Sequence, residues 1–281
     1  MKAEQLLAVV MLVSLTLGAG LQVDREHLKA ILKNVGLLGR ALLANFVIVP
    51  ALGFAVVKLF RLPLPVATGV LLMAIAPGVP FVLASVRKRG GRLALAVELA
   101  VFLPLLSIVT VPLTAALLLP DIVKAELPLA RFGLTLVLFQ LLPLVIGIAA
   151  GGRFPELATR LGRPLQILFF GAAAILIIIL IPQLVHGIAT VYGSLGLIAM
   201  LLLTVLSMAT GWLLGGPALQ DRRVLGLGTT LRNVGLCALI ATSSLRNSEV
   251  TAAVLSYLVI QLIVTTFFGS VFARKAKEAT A

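Results

Sequence analysis

Apolar runs of about 20 residues recur from one end of this 281-residue chain to the other, and no other feature narrows the fold as much. A helix of that length crosses the roughly 30 Å hydrocarbon core of a bilayer. Hydrophobic residues are 60% of the chain and charged residues 12%, so the expected class is an all-α polytopic membrane protein. Nine runs read as transmembrane segments: 5–22, 38–59, 63–85, 93–119, 128–151, 165–186, 193–216, 219–246 and 250–272. The first, with Lys2 ahead of it and Gly18 to Gly20 near its end, shares features with a signal peptide. Glu4 is unusual in such a leader, and residues 1–22 are read as a retained helix.

The formal net charge of +13 comes from basic residues spread over short loops, which signals topology and not nucleic-acid binding. Placing the loops alternately on two sides puts about 16 Lys and Arg on the side of 23–40, 87–92, 153–163, 221–223 and the carboxyl tail, against about 6 on the other. This bias puts the carboxyl terminus in the cytoplasm and the amino terminus outside, across a cell inner (plasma) membrane. Two connectors are amphipathic: 23–38, read as an interfacial helix with His27 on its surface, and GGRFPELATRLGRP at 151–164. The lone Cys237 lies in an apolar run and reads as a small packed hydrophobe, with no disulfide framework or Cys/His metal spacing around it.

Within 219–246, Arg232 and Asn233 interrupt otherwise apolar sequence, with Arg232 near mid-depth. A guanidinium there costs from about 2.5 kcal/mol upward and nearly always faces a bundle interior or a wet cavity. Gly226, Gly228, Thr229, Thr230 and Gly235 suit a helix that opens its backbone and satisfies the freed groups with hydroxyls. The preferred reading is a binding site; the alternative is an Arg that snorkels or pairs with a buried carboxylate for structural reasons. A second break is written into 63–85, where APGVP at 76–80 combines Pro77 and Pro80, which lack a backbone donor, with Gly78, which permits unusual dihedrals. Glu98 lies about 9 Å inside the membrane from the nearest basic loop. It is a candidate to carry a coupling proton, to pair with Arg232, or to reach back to Arg92 or Lys88.

One broken helix per half, each before the last span of its half, points to a transporter built of two inverted-topology repeats. Residues 1–126 form the first repeat, lacking one initial helix, and 127–281 the second, within a single integral membrane unit. The breaks at Pro77 to Pro80 and Thr229 to Asn233 are expected to cross near the midplane, where half-helix amino ends suit anionic groups and exposed carbonyls suit cations. An Arg at the crossing adds a bidentate partner for carboxylate or phosphate, so the expected ligand is an organic anion.

With those residues in view, the chain resembles the bile acid:sodium symporter family over essentially its whole length. The matching segments are LANFVIVPALGF at 43–54, APG at 76–78, GGRLAL at 90–95 and LRNVGLCALIA at 231–241, each short but in the family's order and spacing. The resemblance implies a core domain built around the crossed broken helices, a panel domain, and alternating access by their relative motion. Carried over by position, it also implies that most side-chain sodium ligands are absent. The family's Ser and Asn after the first break fall on Val82 and Leu83, and its Ser and Thr in the next helix on Ala96 and Ala100. Its Glu and Gln in the second break fall on Gly228 and Arg232, Asn233 is kept, and its earlier Gln is Asn45. Sodium needs oxygen ligands, and a permanent cation repels it. Arg232 is therefore expected to take the electrostatic place of a sodium ion, holding an anion without being transported itself.

The expected function is secondary transport of a small organic anion by alternating access. Arg232, Asn233, Asn45, Thr229 and Thr230 are the substrate-site candidates, and Pro77, Gly78, Pro80 and Gly228 form the backbone of the breaks. Transport is then uniport, exchange or proton-coupled, with Glu98 the carboxylate for the last. The alternatives are a sodium symporter using mainly backbone carbonyl ligands and a non-transporting membrane sensor. The sequence holds no HExxH, GxSxG, P-loop or clustered His or Asp, which speaks against an enzyme or an ATP-driven pump. Expected partners are the organic anion and the lipid bilayer, with no cofactor, no nucleic acid and no metal beyond the sodium of the symporter alternative; a homo-oligomer stays open.

Overall fold

An apolar segment with no water to serve its backbone closes its own hydrogen bonds, and the described chain is helical almost throughout for that reason. The computed structural model describes residues 2–23, 35–78, 86, 90–125, 129–182 and 195–278. In chain order the helices are α1 (Ala3–Leu21), α2 (Val35–Phe60), α3 (Leu64–Ile75), α4 (Leu93–Leu118), α5 (Asp121–Ala125) and α6 (129–153). They continue with α7 (Pro155–Ile179), α8 (Gly196–Leu214), α9 (Leu219–Thr230), α10 (Val234–Ser244) and α11 (Ser248–Glu278). Among the described residues, α1, α2, α4, α6, α7, α8 and α11 contain stretches long and apolar enough to cross a membrane. The other two expected runs appear in pieces: 63–85 as α3, described as far as Gly78, and 219–246 as α9 and α10. The middle of the expected interfacial connector, His27, Pro80, Val82 and Leu83 lie outside the described residues.

Two boundaries differ from the sequence reading. α7 begins at Pro155, so the amphipathic connector 151–164 is mostly the opening of a long helix. Pro155 sits in the first turn, where a missing N–H costs nothing, and Glu156 and Arg160 pair at 3.1 Å along the exposed face. α11 likewise runs on past the expected residue 272 to Glu278. Two helices also widen locally: α2 has a π turn at Ala44–Ile48 before Pro50, and α6 has one at Val137–Leu141 before Pro143. A proline leaves the carbonyl of the preceding turn without its amide, and the change of register absorbs the gap.

α1 packs with α6 and α7, and α2, α3, α8, α9 and α11 pack together, with α4 and α10 touching both groups. Close approach in the first group rests on small residues. A Cβ on Gly20 would lie 2.4 Å from the Leu144 carbonyl oxygen, so α1 and α6 meet backbone to backbone there.

Candidate functional site

α3 and α9 both end inside the bundle, and each releases the chain into an extended residue, Ala76 and Leu231. These extended pieces meet. Pro77 and Arg232 form an antiparallel bridge, and the Asn233 amide donates to the Ala76 carbonyl at 3.0 Å. The two breaks therefore cross. Gly78 permits the approach, because a Cβ there would lie 2.4 Å from the carbonyl carbon of Arg232 and from the amide nitrogen of Asn233. The chain re-enters helix at Val234, with Asn233 as the cap: its Oδ1 accepts from the Leu236 amide at 3.1 Å.

Arg232 is 1% exposed. Its guanidinium turns back onto the ends of both half-helices. Nε donates to the Met73 carbonyl at 2.8 Å and Nη2 donates to that of Ala74, both in the last turn of α3. Nη1 donates to Asn45 Oδ1 at 2.9 Å and to the Thr229 carbonyl, in the last turn of α9, at 3.4 Å. The Arg232 amide donates to Gln261 Oε1 at 3.0 Å. Helix carboxyl ends carry unsatisfied carbonyls and the negative pole of the macrodipole, so two such ends facing each other attract a cation. Arg232 supplies that cation covalently. Its acceptors among the described residues are main-chain carbonyls and an amide oxygen, with no carboxylate among them.

The remaining candidates have distinct fates. Asn45 sits on the π turn of α2, buried, with Nδ2 donating to the Ala41 carbonyl at 3.0 Å. Thr229 Oγ1 donates within reach of the Ser207 carbonyl at 2.7 Å and of Leu225 at 2.9 Å, and Thr230 Oγ1 donates to Gly226 at 2.7 Å. Both hydroxyls are buried and close α9, where the sequence reading had them serving an opened backbone. α9 stays helical through Thr230, so the opening is confined to residues 231–233. Gly228 is accordingly inside the helix and not at the break. A Cβ there would meet only Leu99 Cδ1 at 3.5 Å, an ordinary contact. Pro77 and Gly78 are at the crossing as expected. Glu98 is 4% exposed on α4, and its Oε2 is buried without a hydrogen-bond partner among the described residues. Arg92 and Asp221, within electrostatic reach of it, pair with each other at 2.9 Å. Arg232 bonds elsewhere.

Gln140 is not among the sequence candidates, yet it is buried against the second break. Its Oε1 accepts from Asn233 Nδ2 at 2.9 Å, while its Nε2 donates to Ser107 Oγ at 2.6 Å and the Pro104 carbonyl at 2.9 Å. The second break is thereby wired to α6 and α4. A signal existed: an amide side chain shortly before a proline in an apolar run, the pattern that Asn45 and Pro50 also show.

Sodium coordination needs several oxygens that are free to turn toward the ion. The carbonyls of Met73, Ala74 and Thr229 and Oδ1 of Asn45 already accept from Arg232. Gly228 has no side-chain oxygen, and Ala96 and Ala100 are buried apolar residues. An ion among those same oxygens would face a guanidinium at contact distance, where like charges repel strongly. Among the described residues, these four oxygens at the crossing are all engaged by Arg232. Among the described residues no group of three or more His, Cys, Asp or Glu is placed to hold another metal.

Comparison with known proteins gives two matches. The sequence model of the Sodium Bile acid symporter family matches residues 9–213. A protein of Oryza sativa subsp. japonica, named "Probable sodium/metabolite cotransporter BASS2, chloroplastic", is 32% identical over 149 residues, which is 52% of this chain. That match spans 35% of the relative's own length.

Proposed function

The chain belongs to the sodium bile acid symporter family, and from that premise we propose that it is a secondary transporter of a small organic anion in which Arg232 stands where other members place a coupling sodium ion. The family is one of membrane transporters, and its helices make this chain an integral multi-pass membrane protein. The observation that carries the reading is the cage of Met73, Ala74, Thr229 and Asn45 oxygens around one buried guanidinium. A charge held there by the chain cannot leave with the substrate. It offsets the negative helix ends in every conformation and presents a standing positive field to an anion near the crossing. The guanidinium donors are mostly given to the protein, so Arg232 acts on the anion through its field in this conformation. Asn45 and Asn233 set its position, and Thr229 and Thr230 hold the end of α9.

Two further features support the transport reading. The helices form two packed groups joined through α4 and α10, and in the proposed reading these groups move relative to each other. Arg40, Arg92, Arg222 and Arg223 lie together at the end of the bundle where α9 starts, Arg92 pairing with Asp221 and Arg40 lying against Gly216, which supports a cytoplasmic placement of that end in a plasma membrane. Glu98 favours a proton as the coupling ion, since its Oε2 is buried without a partner among the described residues.

The test is uptake of radiolabelled organic anions into proteoliposomes, with sodium or choline as the cation on both sides. Saturable uptake at equal rate in both supports the proposal. Uptake that requires sodium transfers support to a symporter with carbonyl ligands, and absence of uptake across a broad panel supports a non-transporting sensor. A pH gradient that drives uptake in wild type and fails to do so in Glu98→Gln identifies the proton as coupling ion.

A further inference from the structure

Away from the crossing, the end of the bundle that carries Arg61 holds a cavity of about 600 Å³ between the end of α2, the start of α3, and the end of α4 with α5. Its floor is apolar and buried, with Val57, Leu62, Ala67, Leu71 and Leu119. Its rim is basic. Among the described residues, Lys58, Arg61 and Lys124 line it together with one carboxylate, Asp121. Asp121 is paired to Lys124 at 3.0 Å on the solvent side, so among the described residues Lys58 and Arg61 are the charges left facing the space. Lys58 Nζ lies 5.5 Å from the ring centroid of Phe54, which lines the same wall and holds the ammonium at the mouth.

Arg61 is held there at a conformational cost. It caps α2 with φ +49°, the left-handed position that helices usually give to glycine, and the Leu62 amide closes the turn on the Val57 carbonyl at 3.2 Å. A long cationic side chain at a glycine position, beside a second cation and over an apolar floor, combines the two features that an amphiphile recognises.

We propose that this cavity is a binding site for an amphiphilic organic anion, with a carboxylate, sulfonate or phosphate head against Arg61 and Lys58 and an apolar body along Val57, Leu62 and Leu71. A guanidinium presents a fork that matches an oxyanion bidentately, and the neighbouring ammonium adds a point charge. Leu64 and Leu117, both on the lining, are exposed toward the surroundings, so the body of the ligand has a path from either water or the lipid phase. The site is separate from the crossing and does not depend on how Arg232 is read. Its ligand is either a dissolved amphiphile or the head of an anionic lipid.

The experiment places the full chain in nanodiscs of phosphatidylcholine alone and measures thermal stabilisation by decanoate, with decanol as the uncharged control. Wild type is expected to respond to decanoate and not to decanol. Lys58→Ala/Arg61→Ala should weaken the response on the order of tenfold or more. Leu71→Trp, which fills the floor and leaves both charges, should weaken it similarly, and it serves as the second variant if the first fails to fold. If decanoate has no effect but phosphatidylglycerol in the disc stabilises wild type with the same sensitivity to both variants, the source is the lipid and the proposed chemistry stands. Equal responses to decanoate and decanol, or responses unchanged in both pocket variants, overturn it.

Discussion

Arg232 Nε donates to the main-chain carbonyl of Met73 at 2.8 Å, joining positions 159 residues apart in the sequence. That bond fixes how the two broken helices are related. α3 and α9 each bring a carboxyl end to the same place, and the side chain that follows α9 neutralises both. The crossing is therefore held by a buried charge, which on the proposed reading also takes the place of a coupling sodium ion.

Replacing Arg232 should cost stability before it costs anything else. Arg232→Met leaves the carbonyls of Met73, Ala74 and Thr229 and Oδ1 of Asn45 without a donor inside the membrane. The expected loss is about 3–5 kcal/mol, the range seen when one partner of a buried charged contact is removed. Arg232→Lys keeps the charge but has no planar fork with which to reach three helix elements, and should fall between the two. Thermal unfolding of the purified variants checks the order wild type, Lys, Met.

The two glycines of the second-break region and its partner should respond oppositely to alanine. Gly78→Ala puts a Cβ 2.4 Å from the Arg232 carbonyl carbon, and the breaks must separate to admit it. A destabilisation of about 1–3 kcal/mol is expected, as for overpacking elsewhere. Gly228→Ala meets Leu99 Cδ1 at 3.5 Å on a helical residue, and should be neutral or stabilising by about 0.5–1 kcal/mol through the higher helix propensity of alanine. Equal effects on the unfolding midpoint would contradict the placement of the break.

Asn233 and Gln140 should act as a coupled pair. Gln140→Leu strands Asn233 Nδ2 and removes the donor to Ser107 Oγ and the Pro104 carbonyl, at an expected cost of about 1–3 kcal/mol. A double-mutant cycle of Gln140→Leu with Asn233→Leu should show a coupling of about 0.5–3 kcal/mol, whereas independent residues would add. Unfolding measurements on the four proteins decide it.

The sequence made the crossing legible because each break is announced by residues that a continuous apolar helix excludes: Pro77 and Gly78 in one half, Arg232 and Asn233 in the other. Their antiparallel bridge follows from that pairing. What the sequence did not reveal was the set of acceptors around Arg232. Three of them are backbone carbonyls, at Met73, Ala74 and Thr229, and a carbonyl is present at every residue, so it leaves no trace in side-chain identity. Thr229, Thr230 and Gly228 suggested an opened helix by composition, yet each threonine hydroxyl satisfies a carbonyl of the preceding turn and keeps α9 closed to its end. The start of α7 was hidden for a different reason: the polar, amphipathic stretch after Pro155 fits a surface connector as well as the exposed first turns of a long helix.

The most direct measurement is equilibrium binding of radioactive sodium to the purified wild-type chain and to Arg232→Gln, over a range of sodium concentrations. With Arg232 occupying the carbonyl cage, wild type should show no saturable sodium binding, and saturable binding should emerge when the guanidinium is removed. Saturable sodium binding by wild type that is unaffected by the substitution would contradict the account, because the ion would then have a site that Arg232 does not fill.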